Sequence, residues 1–141
     1  MAQFDLQRFV DAQAPIYDEI RSELTAGTKT SHWMWFVFPQ LQGLGRSAMA
    51  IKYEIATIQE GQAYWQHPIL GVRLKECVEL ILAVKGKTAF QIFGTPDDLK
   101  FRSSMTLFSK AVPAEPLFKR ALARYFDGRD DSRTIELLAR N

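Results

Sequence analysis

Two stretches of this chain carry side chains whose types and spacing can do chemistry. The first is Ser31-His32-Trp33-Met34-Trp35-Phe36-Val37-Phe38-Pro39-Gln40, followed by Gly43-Leu44-Gly45, with four aromatic rings in six residues. Flat rings stack on a base, a nicotinamide or another planar group, and a glycine turn nearby lets backbone N–H groups approach phosphate. Polar groups beside an aromatic cluster must find partners, so Gln40 joins Trp33 and Trp35 as a candidate contact, with His32 at the other end. The same rings also read as plain core, because a small protein needs large side chains inside.

The second stretch is Phe93-Gly94-Thr95-Pro96-Asp97-Asp98-Leu99-Lys100-Phe101-Arg102-Ser103-Ser104-Met105-Thr106. Thr95-Pro96-Asp97-Asp98 predicts a helix start: a capping hydroxyl, proline in the first turn and acids at the positive end of the macrodipole. On that helix Asp97, Lys100 and Ser104 share a face as an ion pair plus a hydroxyl. The helix start with Lys100, Arg102, Ser103 and Ser104 is a candidate phosphate site; the competing reading is a capped surface helix with a local salt bridge. Two adjacent serines inside a helix cost propensity, so a tertiary hydrogen bond is expected to retain them.

Other chemistry is sparse. His67, before Pro68, is a candidate for proton transfer if a partner lies within hydrogen-bond reach, or is only the last residue before a helix. Cys77 falls on an apolar helix face, where a thiol is inert packing. No Walker loop, Gly-x-Gly-x-x-Gly, Gly-x-Ser-x-Gly or His-Glu-x-x-His occurs. One cysteine and two histidines are too few for a zinc site, so neither a metal nor a cofactor is expected.

The elements that must position these residues read as helices. Leu6, Phe9 and Val10 share a face, with Asp5 able to cap the start; after Pro15, Ile16, Tyr17, Ile20 and Leu24 repeat the spacing until Gly27 stops it. Residues 28–45 lack polar alternation, and Phe38, before proline, leans away from the helical region. Ser47 can cap the next segment, in which Ile51, Tyr53 and Ile55 alternate like a strand while Ala48, Ile51 and Ile55 suit a helix. Leu70, Leu74, Cys77, Ile81 and Val84 make one clear face. A short piece from Ala89 to Phe93 stops at Gly94, and the helix after Pro96 would carry Leu99, Met105, Leu107 and Phe108. Pro116 opens another over Leu117 or Phe118, Ala121, Leu122 and Tyr125, closed by Gly128, and Asp131 or Ser132 can cap a last one with Ile135 and Leu138. This predicts an all-α fold of about six to eight short helices in one domain, 1–141.

The composition fits such a fold. The chain has 141 residues, 47% hydrophobic and 24% charged, the balance of a packed globular protein. Net charge is only +2, so no strong field draws nucleic acid or anionic lipid. The charge is uneven: residues 1–99 carry 9 basic and 11 acidic side chains, and 100–141 carry 9 and 5. The single cysteine, the absence of a signal-like start and the lack of a long apolar run point to a cytoplasmic protein with no membrane partner.

The run Trp33-Met34-Trp35-Phe36-Val37-Phe38-Pro39-Gln40 with Gly43-Leu44-Gly45 and Ser47 resembles the bacterial family called domain of unknown function 1810. The likeness continues through Tyr53, Ala63-Tyr64, His67-Pro68, Leu70-Gly71, Leu74, Ile92-Phe93-Gly94, Asp97, Lys100 and residues 103–108. It implies a mainly helical domain and no particular activity. Such proteins are sometimes described as calpastatin, a description at odds with this composition because calpastatin inhibitory regions are disordered. A second likeness, in the aromatic-proline segment and the late glycine turn, runs to the NADAR family, whose name refers to NAD and ADP-ribose chemistry.

Together these readings favour a domain that binds or hydrolyses a nucleotide-type ligand related to ADP-ribose or NAD. Trp33 and Trp35 would stack the base, Gln40 would contact it, and Lys100, Ser103 and Ser104 would hold phosphate. If an N-glycosidic bond is cleaved, Asp97 or another carboxylate would stabilise oxocarbenium character and His67 would assist proton transfer. The alternative is a non-enzymatic protein-interaction module, which an open patch exposing both tryptophans would favour. A nucleic-acid partner ranks below both, because Asp127, Asp130 and Asp131 dilute the stripe of Lys119, Arg120, Arg124, Arg129 and Arg133. Oligomeric state and enzymatic activity are left open.

Overall fold

The computed structural model describes residues 4–140, which leaves Met1 to Gln3 and Asn141 of the predicted domain outside the description. The helices are α1 (Gln7–Gln13), α2 (Tyr17–Ala26), α3 (Met34–Val37), α4 (Ala48–Lys52), α5 (Ile58–Gln66), α6 (Leu70–Ala83), α7 (Ala89–Phe93), α8 (Asp97–Ala111), α9 (Leu117–Phe126) and α10 (Ser132–Ala139). A 3₁₀ turn at Ala14–Ile16 joins α1 to α2, because Pro15 permits a tightened turn but no continuous α-helix there. The fold is all-α, as expected. It has more and shorter segments than the sequence suggested, partly because the aromatic run contributes the single turn α3.

Several helix ends are set by local sequence. Ser47 accepts from Ala50 N (3.1 Å), Thr57 caps α5, Thr88 and Gln91 form a reciprocal capping box, and Asp131 caps α10. Gly27 ends α2 in the left-handed region (φ 74°), where a side chain would be strained. Asp5 does not cap α1: the N-cap position falls on Leu6, already helical at φ −78°, so Asp5 stands one residue too early. Nor does Thr95 cap α8. That helix begins after a cis Thr95–Pro96 bond, with Pro96 at the N-cap and no side-chain cap. Backbone carbonyls take its first donors instead, Gly94 from Asp98 (2.9 Å) and Pro96 from Leu99 and Lys100 (3.0 and 3.1 Å).

Ile51 and Ile55 part company. Ile51 lies exposed on α4, whereas buried Ile55 forms an isolated parallel bridge with Leu41. Ile55 N donates to Gln40 O and Gln42 N to Ile55 O, both at 2.8 Å, which fixes the backbone beyond the aromatic segment.

Helix α8 is the axis of the molecule, with α5, α7, α9 and α10 packed on it and α6 joining α2, α5 and α9. Every residue from Ser103 to Ser109 is buried. A helix enclosed on all sides must be apolar or satisfy its own polar groups. Ser103, Thr106 and Ser109 do so by donating to the carbonyls of Leu99, Arg102 and Thr106. Thr106 also accepts from Asp131 N at 2.9 Å, which pins the start of α10 to the central helix. The expected tertiary hydrogen bond from the two adjacent serines is not found among the described residues. Ser103 bonds within its own helix, and the buried Ser104 hydroxyl finds no partner among the described residues.

Aromatic packing ties the candidate segments to this axis. Phe101 packs edge-on against Phe38 (5.0 Å between centroids) and stacked on Phe93 (4.9 Å). Leu99, expected in the core, is instead 54% exposed, because it lies in the first turn, before the enclosed part of the helix. Gly71 allows the closest approach: a Cβ there would stand 2.0 Å from the Trp65 carbonyl oxygen. Among the described residues no helix is long and apolar enough to cross a membrane.

Candidate functional site

The loop between α2 and α3 is organised by Glu23, a carboxylate on the buried face of α2 beside Ile20 and Leu24. Its Oε1 accepts from Thr30 N (2.8 Å), Ser31 N (3.0 Å) and the indole Nε1 of Trp33 (3.0 Å). Burial alone would raise the pKa of this group. The bonds from Ser31, Thr30 and Trp33 outweigh burial and hold it down at about 2. The loop is therefore wound around a fixed negative charge. Its other side is held by Lys29 N donating to Ile92 O (2.8 Å) and by Lys87 Nζ donating to Gly27 O (2.9 Å).

That winding brings Lys29 to the start of α8. Its ammonium lies 2.8 Å from Asp97 Oδ2, donates to Ser31 O (2.6 Å) and faces the Trp33 ring at 5.1 Å. The other Asp97 oxygen faces Lys100 Nζ at 3.7 Å, and that ammonium stands over the Trp35 ring at 5.5 Å. One carboxylate thus gathers two ammonium groups, each against an indole face, which is favourable for a cation. The two segments singled out in the sequence meet here, with Lys29 as the residue that joins them.

The remaining candidates are placed differently. Trp33 is fully buried, whereas Trp35 is partly exposed, so the two rings do not form an open patch. Gln40 is partly buried and contributes its backbone carbonyl to the bridge with Ile55. Ser103 is engaged with Leu99 O, and Ser104 lies one helical turn beyond Lys100, sealed from solvent. Arg102 turns away, donating to the carbonyls of Arg129 and Asp130 (3.0 and 2.8 Å). His67 Nδ1 accepts from Ile69 N (3.1 Å) and Leu70 N (3.2 Å) and so caps the start of α6. Among the described residues no hydrogen bond or ion pair joins His67 to Asp97 or Lys100.

Sequence reasoning missed Glu23 and Lys29. The usable signal was Glu23 three residues after Ile20 and next to Leu24, a carboxylate on an apolar face that has to find donors. A second buried polar cluster lies between α1, α2, α3, α5 and α6. Gln13 Nε2 donates to Phe36 O (2.6 Å) and Tyr64 Oη (3.0 Å), and Tyr17 donates to Glu76 at 2.6 Å. Cys77 beside them is buried, and burial pushes its thiol up to about 12, as inert packing requires.

Two of the larger surface depressions lie elsewhere. One of about 480 Å³ is lined by Asp18, Arg21 and Leu80, and one of about 400 Å³ by Arg8, Lys52 and Tyr53. Among the described residues no three His, Cys, Asp or Glu side chains gather to hold a metal.

Comparison with known proteins agrees with this architecture. No curated protein matches the chain. Among solved structures, the crystal structure of the conserved hypothetical protein Rv1873 from Mycobacterium tuberculosis is 55% identical. It aligns over 96% of this chain and 97% of its own, with a TM-score of 0.95. The family described as "Protein of unknown function (DUF1810)" matches residues 3–138, and with nearly the whole chain covered, this protein belongs to that family.

Proposed function

We propose that the Lys29–Asp97–Lys100 cluster and the adjoining face of Trp35 bind a nucleotide-type ligand related to ADP-ribose or NAD. The observation that carries this reading is the convergence of two ammonium groups on one carboxylate, each ammonium beside an indole. A nucleotide needs a flat apolar face for its base and a cation for its phosphate, and Trp35 and Lys100 supply both within one small region. Buried Trp33 backs Lys29, with its indole N–H donating to Glu23.

Binding is the function supported, rather than hydrolysis. A carboxylate that stabilises an oxocarbenium ion has to face the sugar carbon, and both Asp97 oxygens face ammonium groups. His67 is given no step, because its Nδ1 caps α6.

The test is an NMR titration of labelled protein with ADP-ribose, NAD, AMP and mononucleotides. Saturable shifts confined to residues 29–40 and 93–104 are expected, and flat spectra across the panel would end this reading. One observation favours the alternative, a protein-interaction module: Phe90 and Leu99, on the helices either side of Thr95–Pro96, are 59% and 54% exposed. Flat spectra together with a specific protein partner lost in Phe90→Ser would establish it.

A further inference from the structure

Asp97 is divided unequally between its two lysines. The Lys29 side chain is 6% exposed, forms a close ion pair with Oδ2 at 2.8 Å and donates a hydrogen bond to the Ser31 carbonyl. The Lys100 side chain is 26% exposed and lies 3.7 Å from Oδ1, outside hydrogen-bond range. Lys100 donates no side-chain hydrogen bond among the described residues, and its other close neighbour is the Trp35 face. An ammonium carries three donors, so those of Lys100 are left to solvent or to an entering ligand. The more exposed cation is the one an incoming anion can take, while the sealed lysine keeps the carboxylate in place.

We infer, resting on the nucleotide-type reading above, that Asp97 Oδ1 holds the place of a ligand phosphate oxygen. On binding, the phosphate takes the Lys100 ammonium, Oδ2 stays with Lys29, and the ligand's planar group covers Trp35. Asp97 is then an internal competitor and a positioning residue, not a ligand contact, and Lys100 is the residue that selects for phosphate. The neutral isostere at position 97 removes both the competition for Lys100 and the repulsion of the entering anion.

The experiment titrates the full chain with inorganic pyrophosphate, ADP-ribose and adenosine while following the lysine Nζ resonances and the tryptophan fluorescence. In the wild type, pyrophosphate and ADP-ribose shift the Lys100 Nζ signal and leave that of Lys29 in place, and adenosine moves neither. Asp97→Asn tightens pyrophosphate binding by about three- to tenfold, Lys100→Gln weakens it at least tenfold, and Trp35→Phe abolishes the fluorescence response. Asp97→Asn weakening binding as much as Lys100→Gln would overturn the inference and leave the nucleotide reading standing. Because Asp97→Asn also strips a sealed lysine of its partner and can unfold the chain, the wild-type Nζ shifts decide independently. Equal shifts at Lys29 and Lys100, or none, overturn the inference without any variant. Pyrophosphate binding through Lys100 with ADP-ribose no tighter would remove the nucleotide reading and overturn the inference with it, because no planar group then covers Trp35.

Discussion

Replacing Glu23 by glutamine tests whether the loop that carries Lys29 is wound on a charge. In the folded chain the carboxyl pKa is lowered from the ordinary 4.5 to about 2. A depressed pKa contributes stability that is fully present above the unfolded value and is lost as pH falls through the folded one. At about 1.4 kcal/mol per unit, that shift makes ionised Glu23 worth about 3 kcal/mol over the protonated acid, a conversion suited to a residue only 8% exposed. Glutamine keeps the shape and one acceptor but resembles the protonated form. Glu23→Gln is therefore expected to cost about 3 kcal/mol at pH 7, which lowers Tm by about 10 °C in a domain of this size. The gap between wild type and variant should narrow below pH 4.5 and close near pH 2. Urea unfolding of both proteins at pH 7, 5, 4 and 3 measures the gap directly, and subtraction removes the titration of other carboxylates. A gap that stays constant from pH 7 to pH 3 would refute the charge argument, and a gap below about 0.5 kcal/mol at pH 7 would show that the three bonds to Oε1 contribute little net.

Three further outcomes rest on local geometry. His67→Ala should cost about 1 kcal/mol in thermal or urea unfolding, and His67→Asn should restore it, because the cap needs an acceptor at that place and not an imidazole. Gly71→Ala, which helix propensity alone would favour, should destabilise by about 3 kcal/mol or more, because the added Cβ meets a backbone oxygen at 2.0 Å; unchanged stability would show that α5 and α6 can shift apart. Ser104→Ala should leave stability equal or raised by up to about 1 kcal/mol, since it removes a buried hydroxyl without a protein partner among the described residues; a loss of more than about 1 kcal/mol in urea unfolding would reveal an acceptor for that hydroxyl.

Helices α1, α2, α6, α8, α9 and α10, the caps at Ser47 and Asp131 and the Asp97–Lys100 pair were legible in the sequence because each depends on neighbours within a turn, whereas α5 was not read. The periodicity of Leu70, Leu74, Cys77 and Ile81 needs only the geometry of one helix, and so does the spacing of Asp97 and Lys100. Capping by Ser47 and Asp131 is equally local. The two local readings that failed, at Asp5 and Thr95, did so where the chain enters its helix by a route that propensity does not encode. At Leu6 the backbone is already helical, one residue past Asp5, and before Asp97 backbone carbonyls supply the acceptors.

Periodicity and residue type are enough to read a chain of short amphipathic helices and two segments with unusual chemistry. Which of those side chains meet is settled by packing. Lys29 and Asp97 are 68 positions apart and are joined through a loop whose shape is set by a carboxylate on another helix. The same packing separated Trp33 from Trp35, burying one ring and leaving the other at the surface, although they stand two residues apart in the sequence. It turned Arg102 away from the cluster and left Ser104 without a partner among the described residues. Helical periodicity fixes which residues share a face, but the charge and the neighbour that face meets are set by how the helices pack around α8.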